Sequence, residues 1–174
     1  MEKNWEEIKK MAGEYAEDNL QNGYNCAESV LDALIRSGAV DVPPETVAYA
    51  TGFGGGGGSS GMTCGALSSA ILANNIVHGR KDPSLMTDRA ILKKEFYPRY
   101  NKIVSDFVRE NSSGLCHELI GRYENGYKDE HVREGCIRAC ISAAQIAVDY
   151  LQMDAAEAAM LEYDESVIKI KNWL

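Results

Sequence analysis

The run GFGGGGGSSGMTCGALSSAILANNIVH, residues 52–78, decides how this chain folds. Its first half is mostly glycine, which has no Cβ and lets backbone turn sharply or come close to a bound group. Its second half carries Met62, Ala66, Leu67, Ala70, Ile71, Ala73 and Ile76 at helical spacing. These residues are small and apolar over much of the circumference, so residues 62–78 are expected to form a central, buried helix. Cys64 stands where loop gives way to helix. A thiol there meets unpaired backbone N–H groups and the positive end of the helix dipole, both of which favour thiolate over thiol.

The same helical reading extends in both directions. Trp5, Ile8, Met11, Ala12, Tyr15 and Ala16 recur with a helical period, which predicts an amphipathic helix over residues 4–20. Asn25 is a natural cap for a second helix through Val30, Leu31, Leu34 and Ile35, and Gly38 is placed to end it. Pro43 and Pro44 start a short helix. Asp82-Pro83 breaks the central helix, and a long one is expected from Met86 to Val108, kinked or divided at Pro98. Ser112 or Ser113 would cap a short helix bearing Leu115, Cys116, Leu119 and Ile120. Residues 121–130 read as a surface turn. His131 to Gln152 form another helix, and Asp154 with Glu157 resembles a capping box that opens a last helix ending near Leu174. No segment alternates as a half-buried strand does. The expected fold is all-α: one domain, residues 1–174, a bundle of five to seven helices with a glycine-rich loop.

Charge and composition exclude several functions. Among 174 residues the formal net charge is −8, and the 18 basic residues form no stripe, so attraction to nucleic acid or anionic lipid is not expected. No apolar stretch is long enough to cross a bilayer, and the charged N-terminus is unlike a signal peptide. A cytoplasmic location is therefore expected. Five cysteines, an odd number in a chain of this size, point to reduced thiols, metal ligands or redox sensing rather than to a disulfide scaffold.

The cysteines are Cys26, Cys64, Cys116, Cys136 and Cys140. Cys26 follows the Asn25 cap, Cys64 follows the glycine run, and Cys116 follows Ser112-Ser113-Gly114. All three therefore fall near helix starts. Helix starts bearing thiols can converge on one negatively charged object, such as a thiolate-ligated iron–sulfur cluster. Cys136 and Cys140 lie four apart on one helix face. Cys140 reads as a further ligand, a resolving thiol or core. A buried cysteine that only packs is the common alternative for each position.

These segments resemble the C-GCAxxG-C-C family of redox-active proteins from Tyr24 to Leu151. Asn25-Cys26-Ala27-Glu28-Ser29-Val30-Leu31 is similar to its first cysteine segment. Thr51 to Gly56, followed by Gly61-Met62-Thr63-Cys64-Gly65-Ala66-Leu67, is similar to its central glycine–cysteine motif. Cys116-His117-Glu118-Leu119 and Cys136 match the third and fourth cysteines. Cys140 is an addition, and Ser69 stands where the motif has its last glycine. The resemblance implies a cluster of [2Fe–2S] type, or another four-thiolate centre, on Cys26, Cys64, Cys116 and Cys136. Gly54, Gly55, Gly56, Gly57, Gly58 and Gly65 would give it close backbone approach. Haem is not implied, because no C-x-x-C-H motif is present.

Other readings are a thiol–disulfide enzyme or sensor with Cys64 as its reactive thiol, a zinc site, and a helical binding protein with inert cysteines. A redox partner protein and a homodimer through the amphipathic first and last helices complete the expectations. Gly56-x-Gly58-x-x-Gly61 formally matches a dinucleotide fingerprint, which requires a preceding strand. No Gly-Lys-Ser/Thr follows for a phosphate loop. His117, beside Cys116, reads as solvent-facing or hydrogen-bonded more readily than as a ligand.

Overall fold

The computed structural model describes residues 3–129 and 131–170. Among them are seven α-helices and no strand: α1 (Trp5–Gln21), α2 (Cys26–Arg36), α3 (Gly65–His78), α4 (Tyr97–Asn111), α5 (Cys116–Gly121), α6 (Val132–Leu151) and α7 (Ala155–Ala159). A 3₁₀ segment, Pro44–Phe53, leads into the glycine loop. The all-α expectation holds.

Local chemistry sets the helix starts. Asn25 accepts the N–H groups of Ala27 and Glu28, while the Glu28 carboxylate accepts the Asn25 N–H. That reciprocal cap fixes Cys26 as the first residue of α2. Pro98 lies in the first turn of α4, directly after a π-helical turn at Leu92–Phe96, so the helical stretch is divided there as expected.

α6 is the hub of the bundle. It packs against α1, α2, α3 and α4. Its buried surface includes Ala139, Cys140, Ala143, Ala144 and Ala147, side chains small enough for neighbouring backbones to approach. A Cβ on Gly13 of α1 would fall 2.9 Å from Gln145 Nε2 of α6, a measure of how tight that crossing is. α3 is buried as its composition predicts, with Ala66, Ala70 and Ala73 fully enclosed. A second, smaller apolar cluster stands apart from the main core and consists of Cys116, Ile120 and Val132 with Tyr123 against them.

Three expectations are corrected. The helix expected from Met86 begins with a π-helical turn at Leu92–Phe96 and becomes α-helical only at Tyr97. The helix expected from residue 62 begins at Gly65, because Thr63 pairs with Leu115 in an antiparallel bridge. The last helix stops at Ala159. Its Asp154–Glu157 capping box forms, but Asn101 and Ser105 of α4 bind Asp164 and draw the chain out of helix. The expected end near Leu174 lies outside the described residues.

Candidate functional site

Three backbone devices bring distant cysteines together. The first is the Asn25 cap, whose side chain also donates to Thr51 O at 3.2 Å and so ties the start of α2 to the glycine loop. The second is the pairing of residues 61–64 with 114–117. Cys64 N–H donates to Gly114 O at 2.8 Å, Cys116 N–H to Met62 O at 2.6 Å, and His117 N–H to Gly61 O at 2.8 Å. Cys64 and Cys116 are thereby neighbours across a two-stranded contact with no sheet around it. The third is the glycine loop itself. Gly55 to Gly58 all have positive φ, a run that side chains with a Cβ do not adopt. It curls back on itself, with Gly58 N–H on Gly52 O and Gly61 N–H on Gly55 O.

Together these elements enclose a cavity of about 770 Å³, lined by both the main core and the smaller cluster. Cys26, Cys64, Cys116 and Cys136 all line it. So do Gly54, Gly55 and Gly58, whereas Gly56, Gly57 and Gly65 do not. Gly56 and Gly65 nevertheless touch the thiols. A Cβ on Gly65 would sit 2.7 Å from Cys26 Sγ, and one on Gly56 would sit 2.9 Å from Cys116 Cβ. Gly57 serves the turn, through its N–H on Phe53 O. Cys140 stands behind the site, fully buried, with its sulfur 3.6 Å from Cys26 O. It is part of the core.

Electrostatics disfavour free thiolates here. Burial, then the neighbouring Cys26, pushes the Cys64 thiol up to about 12. The N–H groups of Leu67 and Ala66 oppose this, although neither completes a capping hydrogen bond to the sulfur. Burial and Cys26 likewise push Cys136 up to about 11. Cys116 is raised by burial, opposed by a hydrogen bond of 3.2 Å between its sulfur and the Tyr127 hydroxyl. Burial thus opposes the effect of the helix start, which favours thiolate at Cys64. All five cysteines are free thiols.

A metal cation inverts this balance by deprotonating the thiols that bind it. Among the described residues no three His, Cys, Asp or Glu side chains stand together as the ligands of a single ion. A tetrahedral zinc site, with bonds of about 2.3 Å, needs its sulfurs within about 4 Å of one another. Cys26, Cys64, Cys116 and Cys136 line one cavity without forming such a group.

Sequence reasoning missed Tyr127, Tyr123, Arg122 and Arg138, all of which line the cavity. Nothing local marked them, since Arg122, Tyr123 and Tyr127 fall in a stretch that reads only as a turn and Arg138 falls inside an expected helix. His117 is exposed and holds Gly61 O through Nδ1 at 2.8 Å, as expected for a hydrogen-bonded histidine. No strand precedes the glycine loop, so it lacks the setting of a dinucleotide fingerprint. Among the described residues no helix is long and apolar enough to cross a membrane.

One family model matches the chain, over residues 24–150, and its description is "Putative redox-active protein (C_GCAxxG_C_C)". No curated protein and no solved structure matches significantly.

Proposed function

This chain belongs to the C_GCAxxG_C_C family, and on that premise we propose that it is an electron-transfer protein holding an iron–sulfur cluster on Cys26, Cys64, Cys116 and Cys136. The observation that carries this reading is the opening of all four thiols, from four different helices or their starts, onto one cavity. When bound, such a cluster supplies reversible one-electron chemistry.

The residues of the chain have distinct tasks around it. The Asn25 cap and the 61–64/114–117 pairing hold Cys26, Cys64 and Cys116 in place before any metal arrives. The positive ends of α2, α3 and α5 face the site and offset the negative charge of four thiolates. The N–H groups of Ala66 and Leu67, turned toward Cys64, do the same at one sulfur. The Tyr127 hydroxyl is hydrogen-bonded to the Cys116 sulfur. Donors to cluster sulfur raise its reduction potential. Gly56 and Gly65 keep backbone and thiols in close contact where any side chain would intrude.

Raised thiol pKa values weigh against a thiol–disulfide enzyme built on Cys64, because the attacking species there is the thiolate. The test is anaerobic purification followed by visible spectroscopy and assays for iron and acid-labile sulfide. Coloured protein containing both is the expected result. Colourless protein that resists reconstitution with iron and sulfide would sink the proposal.

A further inference from the structure

The cavity is larger than the ring of sulfurs. At about 770 Å³ it lies within the range of small-molecule pockets, about 300–1,000 Å³. Along α6 its lining runs from Val132 past Cys136 and Ala139 to Ser142. Ser142 is six residues beyond Cys136, about 9 Å along the helix axis. The cavity lining therefore continues past Cys136 along α6 and, with Glu110 and Asn111 of α4 and Leu119 and Ile120 of α5, forms a second compartment beside the thiols, where Ile120 packs against Cys116.

The walls of that compartment differ from the thiol end. Leu119, Ile120 and the Tyr123 ring supply apolar surface, and Asn111 and Ser142 supply polar groups already bonded to each other at 2.9 Å. Its charged lining residues are Arg122, Arg138 and Glu110. Arg122 donates to Asn111 O at 2.8 Å, and Arg138 reaches the Tyr123 hydroxyl only at 3.5 Å. Neither makes an ion pair with a described residue, although Arg36 and Arg109 elsewhere pair with Asp32 and Asp106. The two guanidinium groups of the lining, in a chain of net charge −8, thus each have one hydrogen bond within the protein and no carboxylate partner among the described residues. Guanidinium forks match carboxylates in shape and charge. Glu110 cancels one of the two positive charges, which suits a monoanion over a multiply charged phosphate.

We propose that this compartment binds a small organic monocarboxylate with an apolar body, its acid group on Arg122 and Arg138 and its body against Tyr123, Leu119 and Ile120. The inference rests on the same cavity as the cluster reading and names the class of molecule that would stand beside the sulfurs.

The test uses benzoate as probe and benzyl alcohol as its neutral counterpart, on metal-free full-length protein. A colourless preparation that refutes the cluster therefore leaves this result intact. Calorimetry should give saturable benzoate binding, weakened by salt and at least tenfold tighter than benzyl alcohol. Benzoate should slow alkylation of Cys116 and Cys136, read residue by residue by mass spectrometry, because both line the same cavity. Arg138→Gln, a change at an exposed position, should weaken benzoate about tenfold and leave benzyl alcohol unchanged. No saturable benzoate binding, equal binding of the alcohol, or binding that leaves both cysteines unprotected would each overturn the proposal. The first two need no variant, so they decide the matter even if Arg138→Gln folds poorly.

Discussion

The two ends of α6 are built on opposite principles. At its C-terminal end the chain satisfies itself. Arg99, buried, donates to Tyr150 O and to Met153 O and Asp154 O, both at 3.0 Å. His78 Nε2 holds Leu151 O at 2.9 Å, and the Tyr150 hydroxyl donates to Asp106 at 2.6 Å. Helix ends leave carbonyls without partners, and here side chains from α3 and α4 supply them. Toward its N-terminal end, Val132, Gly135 and Cys136 face a cavity with thiols on its other walls. One end is finished by the fold, whereas the other leaves sulfur and guanidinium groups turned toward space. The contrast teaches where stability resides and where function does, and it can be attacked from either side.

The largest effect is expected at the finished end. Arg99→Leu removes the donor from three carbonyls, that of Tyr150 in the interior, and should cost about 3 kcal/mol in urea unfolding. Iron and sulfide per folded molecule should not change. A variant that kept its stability but lost metal would erase the distinction between the two ends.

Gly65→Ala probes the open end. Its new methyl would lie 2.7 Å from both Cys26 Sγ and Phe53 O, so about 1–3 kcal/mol should be lost. Metal content should fall as well, because Cys26 must move. Thermal melts together with iron assays measure both effects.

The cysteines sharpen the contrast further. Cys136→Ser, at a partly buried position on the cavity wall, should change stability by less than about 1 kcal/mol yet abolish or severely reduce cluster loading. Cys140→Ala, one turn further along α6 and in the core, should cost about 1 kcal/mol and retain the full complement of iron. Equal metal loss in both variants would mean that lining the cavity does not distinguish ligand from core.

The smallest effect concerns pH. Hydrogen bonds from Ser105 and Ser166 hold the Asp164 carboxyl down at about 2, below its ordinary 3.8. The folded state therefore binds its proton less readily than the unfolded chain. The stabilisation is complete above pH 3.8 and is lost as pH falls toward 2. Asp164→Asn should flatten the acid limb of a stability–pH curve in that window. An unchanged limb would show that the tie between α4 and the C-terminal segment contributes nothing.

Much of the fold was legible because helices declare themselves locally. The Asn25 cap and the Asp154 capping box are short-range patterns, and both form. The apolar period of α1 and the small apolar face of α3 likewise needed no partner to be read. The errors fell where a distant group intervened. Asn101 and Ser105 pull Asp164 out of helix from some sixty residues away, and Leu115 pairs with Thr63 and delays α3.

By itself the sequence determined that this chain is helical, which thiols stand at helix starts, and where backbone without Cβ is available. These are properties of neighbouring residues and of φ/ψ preference. Tertiary structure alone decided that Cys26, Cys64, Cys116 and Cys136 share one cavity while Cys140 lies behind it. It also brought Tyr127, Arg122 and Arg138 to that cavity and set desolvation against the helix dipole at Cys64. Burial and convergence are sums over residues far apart in the chain, and no local pattern encodes them.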